Sequence, residues 1–466
     1  MRIDLPSEVL PADRLGRVHL IGIGGAGLSA IALLMHEAGV DVSGSDGKDS
    51  AVLDRLRAAG ITCHVGHDAA HLADRDTVIA STAVPEDNPE VVEARRRGLR
   101  LWPRSAGLMS TMLDDRRIAI AGTHGKTTTT AMLTFALRGA GADPSFAIGA
   151  EVAGLGTNAR RGAGPEFVVE SDESDGAFLH YRPHAAVVTN IDADHLDTWG
   201  TVEAYELAFA QFAVTVDEVV VVSADDPGCR RLRDRVSGPR ILTAGFAEDA
   251  HVRGTDVEVA GSTTRFTLHA PGLEPTEVVL AVPGRHYAAD ALLALAIGLE
   301  LGHDLAGMVE GLSGYTGAAR RMEPKGEAGG VRVVDSYAHH PTEIAADLAA
   351  ARALAGDDRL VVVFQPHLVS RTRLFGERMG QELAAADLVV VADLYLAREA
   401  ADPAVTSALV VDAAGPNAHL GGPVEDVPAF LEPMLRAGDL VLTLGAGDVT
   451  TVGPALLDLL RDSGDE

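Results

Sequence analysis

Residues 117–137, RIAIAGTHGKTTTTAMLTFAL, constrain the fold of this chain more than any other stretch. An apolar run of strand length stops at Gly122, a turn follows through Thr123, His124, Gly125, Lys126, Thr127 and Thr128, and apolar residues then recur at helical spacing. Strand, glycine turn and helix in that order are the setting of a phosphate-binding loop. Small residues let backbone N–H groups approach phosphate oxygens, the helix N-terminus adds positive potential, Lys126 can reach terminal phosphates and the Thr127 hydroxyl can ligate magnesium. Ile120 stands where the longer loop pattern has its first glycine, so this is a shorter Gly-Thr-His-Gly-Lys-Thr form. A plain helix start whose threonines cap backbone donors is the alternative. Two features weigh against it. Lysine occurs only at 48, 126 and 325 while arginine serves elsewhere, so Lys126 implies a need for a compact ammonium. Four successive β-branched threonines also start a helix poorly, which bound phosphate and metal would offset.

At 466 residues the chain is long enough for two to four domains. Its formal net charge of -28 predicts no nucleic-acid and no anionic-membrane surface, since either needs a basic footprint. Any phosphorylated ligand must be held by local donors. Cys63 and Cys229 have neither metal-type spacing nor a disulfide framework, which fits a reducing compartment. No hydrophobic signal opens the sequence and no apolar run is of membrane-spanning length, so a soluble cytoplasmic protein is expected.

Residues 18–21 read as a strand, followed by Gly22-Ile23-Gly24-Gly25-Ala26-Gly27, a helix to about 37, and a second strand ending at Asp46. This is the dinucleotide fingerprint of a βαβ unit, but its physical content is a pyrophosphate at a helix N-terminus, which a nucleotide-sugar also carries. Further strand signals at 77–81 and 99–102, with helical stretches at 51–59 and 89–97, predict a parallel α/β domain over 1–112. In the next unit, 113–316, the strand 166–170 ends on Glu170, a magnesium candidate. Asp172, Glu173 and Asp175 read as a solvated acidic loop. His195, among acids after the strand 185–190, is either a second-metal ligand or a surface histidine bonded to its neighbours. Residues 216–282 read as β-rich with turns, leading into an apolar helix over 288–299. The last unit, 317–466, has strands ending in polar residues near Asp335, Gln365 and Asp448, where open α/β sheets place ligands, but no phosphate fingerprint.

Together, Gly22–Gly27, Gly122–Thr127, Asp172-Glu173-Ser174-Asp175, 190–197, Pro283-Gly284-Arg285-His286, 337–343 and Phe364-Gln365-Pro366-His367 resemble the Mur ligase family, in its alanine-adding branch. The resemblance spans nearly the whole chain. It implies three α/β domains: a Rossmann-like one for the UDP-sugar, a central P-loop ATPase, and a Rossmann-like C-terminal domain that closes over both. It implies an ATP-dependent ligase joining L-alanine to the carboxylate of UDP-N-acetylmuramate through an acyl phosphate, acting as monomer or homodimer. By resemblance, Gly22, Gly24, Gly25, Ala26, Gly27, Asp46, Ser81 and Thr82 bind the UDP-sugar. Gly122, Thr123, His124, Gly125, Lys126, Thr127, Thr128, Arg320 and Asp335 bind ATP. Two magnesium ions would be held, one by Thr127 and Glu170, the other by Glu170 and His195. Tyr337, His339, His367 and Arg371 would line the amino-acid site, with Arg371 on the carboxylate and Lys126, His195, His339 and Arg371 closest to the chemistry.

Tyr287 and Asp290 stand where the family usually has asparagine, and Ser336 and Leu368 where it often has aspartate and arginine. The carbamylated lysine of several family members is also missing: residues 203–212 hold no lysine, and Phe209 occupies the corresponding place. Three rival readings remain: a nicotinamide dehydrogenase resting on Gly22–Gly27 and Asp46, a non-catalytic nucleotide-binding module, and a ligase that adds a preformed peptide to the same sugar nucleotide.

Overall fold

The computed structural model describes residues 3–464, apart from Thr82, Asp175 and Arg398. By compactness the chain divides into two units, one of residues 1–252 with 291–312, the other of 253–290 with 313–466.

The first unit opens with Val18–Ile21 (β1), Ala26–Glu37 (α1), Val42–Asp46 (β2), Ala51–Ala58 (α2), Thr62–Val65 (β3), Thr77–Ala80 (β4), Pro89–Arg97 (α3), Arg100–Pro103 (β5) and Arg104–Ser110 (α4). The strands form an all-parallel sheet in the order β3-β2-β1-β4-β5. Every residue of β1 and β4 is buried because helices cover both faces. Leu28, Ile31 and Met35 of α1 pack on Val18 and Leu20, while Val91 and Ala94 of α3 pack on Ile21, Val78 and Ala80. Local chemistry fixes α3 at both ends. The Asn88 side chain accepts from the Glu90 and Val91 N–H groups, and Gly98 takes the left-handed φ of 66° that ends the helix.

A second sheet follows in the same unit. Its elements are Arg116–Ala121 (β6), Lys126–Gly139 (α5), Ser145–Val152 (β7), Thr157–Arg160 (β8), Glu166–Glu170 (β9), Ala185–Val188 (β10), Leu196–Trp199 (α6), Val202–Ala213 (α7), Val219–Ser223 (β11), Pro227–Arg235 (α8) and Arg240–Gly245 (β12). The order β12-β11-β10-β6-β9-β7-β8 is parallel except for the β7–β8 pair. Its core gathers Phe178, Tyr205, Phe209 and Phe212, and Ala30 and Leu34 of α1 join it, so the first two sheets are packed into one body. The expected β-rich run from 216 onward is interrupted by α8. Only Gly228, Cys229 and Leu232 of that helix are buried, too few to show a period, yet Pro227 at its first turn and the Asp226 cap on the Cys229 N–H determine it.

Val252–Ala260 (β13), Thr263–His269 (β14) and Thr276–Leu280 (β15), which belong to the second unit from Arg253 on, form an antiparallel meander. The apolar helix Arg285–Glu300 (α9) starts earlier than its sequence signal and contributes its later residues to the first unit, as does Leu305–Leu312 (α10). The third sheet is built from Glu323–Ala328 (β16), Val331–Ser336 (β17), Pro341–Ala355 (α11), Leu360–Phe364 (β18), Val369–Leu383 (α12), Leu388–Ala392 (β19), Ala408–Ala414 (α13), Ala418–Gly422 (β20), Val427–Leu431 (α14), Leu440–Leu444 (β21) and Val452–Gly464 (α15). Its order is β16-β17-β21-β18-β19-β20, parallel but for β16, with a hydrophobic core on each face. The fold is α/β with three sheets, as expected. Among the described residues, no helix is long and apolar enough to cross a membrane.

Candidate active site

The central loop leaves β6 at Gly122, whose φ of 133° is open only to glycine without strain, and re-enters helix after Gly125, φ 79°. The residues just beyond β10 shape it. Asn190 brackets the His124 peptide, accepting from its N–H at 2.9 Å and donating to its carbonyl at 3.0 Å, and the Thr189 hydroxyl donates to the same carbonyl at 2.5 Å. The Lys126 ammonium folds back to donate to Gly122 O at 2.7 Å and Thr123 O at 2.9 Å, and lies 2.8 Å from Glu173 Oε2. A three-donor ammonium suits these three acceptors where a planar guanidinium does not. At the start of α5 all four threonines are buried, Thr130 Oγ1 donates to Lys126 O, and Thr134 repeats that bond one turn later. Burial and back-bonding offset part of the poor helix propensity of these residues.

Oxygen donors converge beside the loop. Thr127 Oγ1 donates to Glu170 Oε1 at 3.1 Å, and Glu170 Oε2 accepts from the Gly149 N–H at 2.6 Å. A hydroxyl and a carboxylate so placed at a phosphate loop are the hard ligands magnesium takes, and they fit that ion. The acidic loop is not solvated as expected. Glu173 is fully buried, and Asp172 is half-buried and paired with Arg104 at 3.1 Å. Burial opposes charge on Asp172, but Arg104 and Lys126 hold its carboxyl below the usual range. Burial lifts Glu173 above that range, and Asp172 adds to the rise. Burial also disfavours the charged Lys126, yet Glu173, Asp172 and Glu170 outweigh it and keep the ammonium above its ordinary value. Asp175 lies outside the described residues.

His195, at φ 53°, starts α6 and turns its Nε2 toward Glu173, 3.6 Å away, and Asp194, 3.8 Å away. The structure therefore seats it beside Glu173, a neighbour the sequence did not suggest. Tyr205 of α7 completes this group. Its hydroxyl shares a 2.9 Å hydrogen bond with Thr123 Oγ1 and lies 3.5 Å from Glu173 Oε1. Phe209 is buried against Tyr205 and Phe178, so this part of α7 presents an aromatic wall. Sequence reasoning missed Glu173, Arg104, Asn190 and Tyr205. A carboxylate one residue from another in a loop carries no signal that it will be buried.

In the first sheet, Gly22 has φ 86° and the Gly24 N–H donates to Asp46 Oδ2 at 2.9 Å, tying the glycine loop to the end of β2. A Cβ on Gly24 would meet Leu53 Cδ1 at 2.8 Å and that same Asp46 oxygen at 2.9 Å. Gly25 precedes α1 with no side-chain cap, leaving helix donors for a ligand, and Ala26 O accepts from Asn158 Nδ2 at 3.0 Å. Gly27 faces Arg104, whose guanidinium reaches Asp172, so one arginine links the glycine loop to the acidic loop beside Lys126. Ser81 follows β4 and its hydroxyl accepts from the Ala83 N–H at 3.2 Å. Thr82 lies outside the described residues.

The second unit holds its own cluster. Asp335 is fully buried and accepts from Thr443 at 2.6 Å, Thr450 at 2.8 Å and Arg320 Nε at 3.3 Å. The Arg320 and Arg321 guanidiniums lie 4.9 and 5.0 Å from the Tyr337 ring centroid. That ring meets His339 edge-on at 5.3 Å, His339 meets His367 at 6.1 Å, and His367 stacks on Tyr395 at 5.5 Å. Arg371, in the first turn of α12 and buried, lies 3.3 Å from His367 Nδ1. Tyr337, His339, His367 and Arg371 are thus brought together. His340 is the capping residue instead, buried on Phe375 and closing a capping box with Glu343. Of the departures, Ser336 donates to buried Asp347 at 2.5 Å, Leu368 takes φ 69° before α12, and the Tyr287 hydroxyl donates to Arg321 O at 3.1 Å.

Three family models match: the Mur ligase family catalytic domain over 17–116, the Mur ligase middle domain over 120–298, and the Mur ligase glutamate ligase domain over 320–447. The UDP-N-acetylmuramate–L-alanine ligase of Nocardioides sp. (strain ATCC BAA-499 / JS614) is 58% identical over 99% of this chain and 100% of its own length. The same enzyme of Thermobifida fusca (strain YX) is 48% identical over 98% and 99%. Among solved structures, the UDP-N-acetylmuramate–alanine ligase of Thermotoga maritima superposes with a TM-score of 0.82 at 28% identity, covering 96% of this chain and 99% of that one. The fold also matches a murein peptide ligase from Psychrobacter arcticus at TM-score 0.73 and 24% identity, covering 96% and 99%.

Proposed function

This chain belongs to the Mur ligase family, and on that premise we propose how its residues carry the family's chemistry. It is an ATP-dependent ligase that joins L-alanine to the carboxylate of UDP-N-acetylmuramate, in peptidoglycan precursor synthesis. The observation that carries the assignment of roles is one loop that sets a lysine paired with buried Glu173 next to a threonine hydroxyl bonded to the strand-end carboxylate Glu170.

A free carboxylate is a poor acyl donor because its leaving group would be oxide. The muramyl carboxylate oxygen therefore attacks the γ-phosphorus of ATP, ADP departs, and the acyl phosphate has a good leaving group. The alanine amine then adds to the acyl carbon, loses a proton, and phosphate leaves as the amide forms. Such transfers depend on positioning and on neutralising charge. Lys126 turns from Glu173 toward the β- and γ-phosphate oxygens, and the loop N–H groups from Gly122 to Thr128 cradle them. Gly22, Gly24, Gly25, Ala26 and Gly27 hold the UDP pyrophosphate at the start of α1, with Asp46 fixing the loop and Ser81 beside it. Thr127 and Glu170 would hold magnesium, and Glu170 with His195 a second ion; when bound, the metal supplies countercharge to the triphosphate. Arg371 receives the alanine carboxylate among Tyr337, His339 and His367, while Arg320 and Asp335 serve the nucleotide. The nucleotide substrates support a cytoplasmic setting for the reaction.

The test is phosphate release with UDP-N-acetylmuramate and ATP, offered single amino acids or a preformed peptide. Release with L-alanine and none with the peptide is expected. The reverse preference would assign the chain to the peptide-adding reaction.

A further inference from the structure

On the α3 side of the first sheet, next to the glycine loop through Ser45, four histidines surround one buried carboxylate. Glu90, the second residue of α3, is fully buried, and so is His19 in the middle of β1. Glu90 Oε1 receives His71 Nδ1 at 2.7 Å and faces His19 Nε2 at 3.3 Å, while Oε2 accepts from Ser45 Oγ at 2.6 Å and lies 3.1 Å from His67 Nδ1. His64 stacks on the His71 ring, centroids 3.9 Å apart and planes 11° from parallel.

The orientations are those of a ligand set. His19 Nδ1 is 2.8 Å from the Ser43 hydroxyl, and when that hydroxyl accepts, the Nε2 lone pair points at Glu90. Nε2 is buried, and its neighbour Glu90 Oε1, 3.3 Å away, is out of line for a good hydrogen bond. His19 Nε2, His71 Nδ1 and a Glu90 oxygen lie within 4.8 Å of one another. Each is oriented from behind: His19 by Ser43, His71 by its stack on His64, and Glu90 by Ser45 and His67. Outer partners of this kind commonly fix metal-binding imidazoles and carboxylates. His71 is 19% exposed, which gives an ion a way in.

We propose that His19, His71 and Glu90 form a binding site for a divalent transition ion of the zinc class. Two imidazole nitrogens and one carboxylate favour that class over magnesium, which takes oxygen ligands. The ion would join β1, the turn after β3 and the start of α3, three segments far apart in sequence, so its effect is on the rigidity of the first sheet and not on the chemistry at Lys126.

The full-length protein is stripped with EDTA and titrated with Zn2+ by calorimetry, and with Co2+ by visible absorption, in buffer without magnesium or nucleotide. One equivalent per chain is expected, with the d–d bands of a low-coordinate cobalt ion and a Zn2+-dependent rise in Tm. His71→Ala and Glu90→Gln should weaken binding at least tenfold and abolish the Tm shift; Ser43→Ala should weaken it about 10- to 100-fold. His195→Ala should leave the equivalent in place. Because His71 is partly exposed, His71→Ala keeps the test available where Glu90→Gln does not fold. No saturable equivalent, or one unchanged in His71→Ala, overturns the site and leaves the cluster a hydrogen-bonded network only.

Discussion

Replacing Lys126 with methionine keeps most of the side-chain volume and removes the ammonium that sits 2.8 Å from Glu173. Glu173 has no exposed surface, so it must then either stay charged without its cation or take up a proton. Stranding one member of a buried pair costs about 3–5 kcal/mol. Protonation sets a ceiling on that cost. Each pH unit above the ordinary value of 4.5 costs about 1.4 kcal/mol, hence about 3 kcal/mol at pH 7 and under about 1 at pH 5. The sign follows from a folded-state pKa that is raised: the variant keeps its stability below pH 4.5 and loses it progressively as pH rises. Two carbonyls, Gly122 O and Thr123 O, also lose a donor, adding roughly 1–2 kcal/mol independent of pH. Urea unfolding at pH 5 and pH 7 reads both parts, and in Lys126→Met with Glu173→Gln only the pH-independent destabilisation should remain. Phosphate release should fall by at least about 100-fold in either variant, because developing charge in a closed site loses its partner. A stability loss that is the same at pH 5 and pH 7 would refute the pairing argument. Near-normal turnover in a folded variant would refute the role of the loop.

Gly24→Val sets a side chain against Leu53 and Asp46, so calorimetry should show weaker UDP-N-acetylmuramate binding with ATP binding spared. Arg371→Ala should raise the KM for alanine much more than that for ATP, and an unchanged alanine KM would remove Arg371 from the site. With Phe209 buried in an aromatic wall and no lysine in α7, activity should not change between carbon-dioxide-free buffer and added bicarbonate; recovery on adding bicarbonate would show a carbamate at work. Asp347 is buried and pushed up to about 7, its burial opposed by the Ser336 hydrogen bond. A raised carboxyl contributes most stability below its ordinary 3.8 and loses it as pH rises toward 7, so Asp347→Asn should stabilise the protein at pH 8 in thermal melts and do little at pH 4.

Local chemistry placed much of this protein without a fold. The strand, glycine turn and helix around Lys126 follow from period and from residues that alone tolerate the turn's φ, and the same holds for Gly22–Gly27 and β2. Buried parallel strands such as Val219–Ser223 and Leu360–Phe364 are legible as unbroken apolar runs, because helices cover both faces. The helix Pro227–Arg235 was less visible, since a surface helix with few buried positions shows little periodicity even when its cap is well formed. What the sequence could not contain was burial of polar groups. Glu173 and Asp172 are neighbours in one loop, yet only the packing of β9, α7 and α4 makes the first a buried partner of Lys126 and the second a partner of Arg104. Glu90 and His19 stand 71 positions apart and meet because α3 lies across β1. Periodicity reports which face of an element is apolar; which distant charge lies opposite is decided only when the elements pack, since Coulomb and desolvation energies depend on distance and dielectric and not on spacing along the chain.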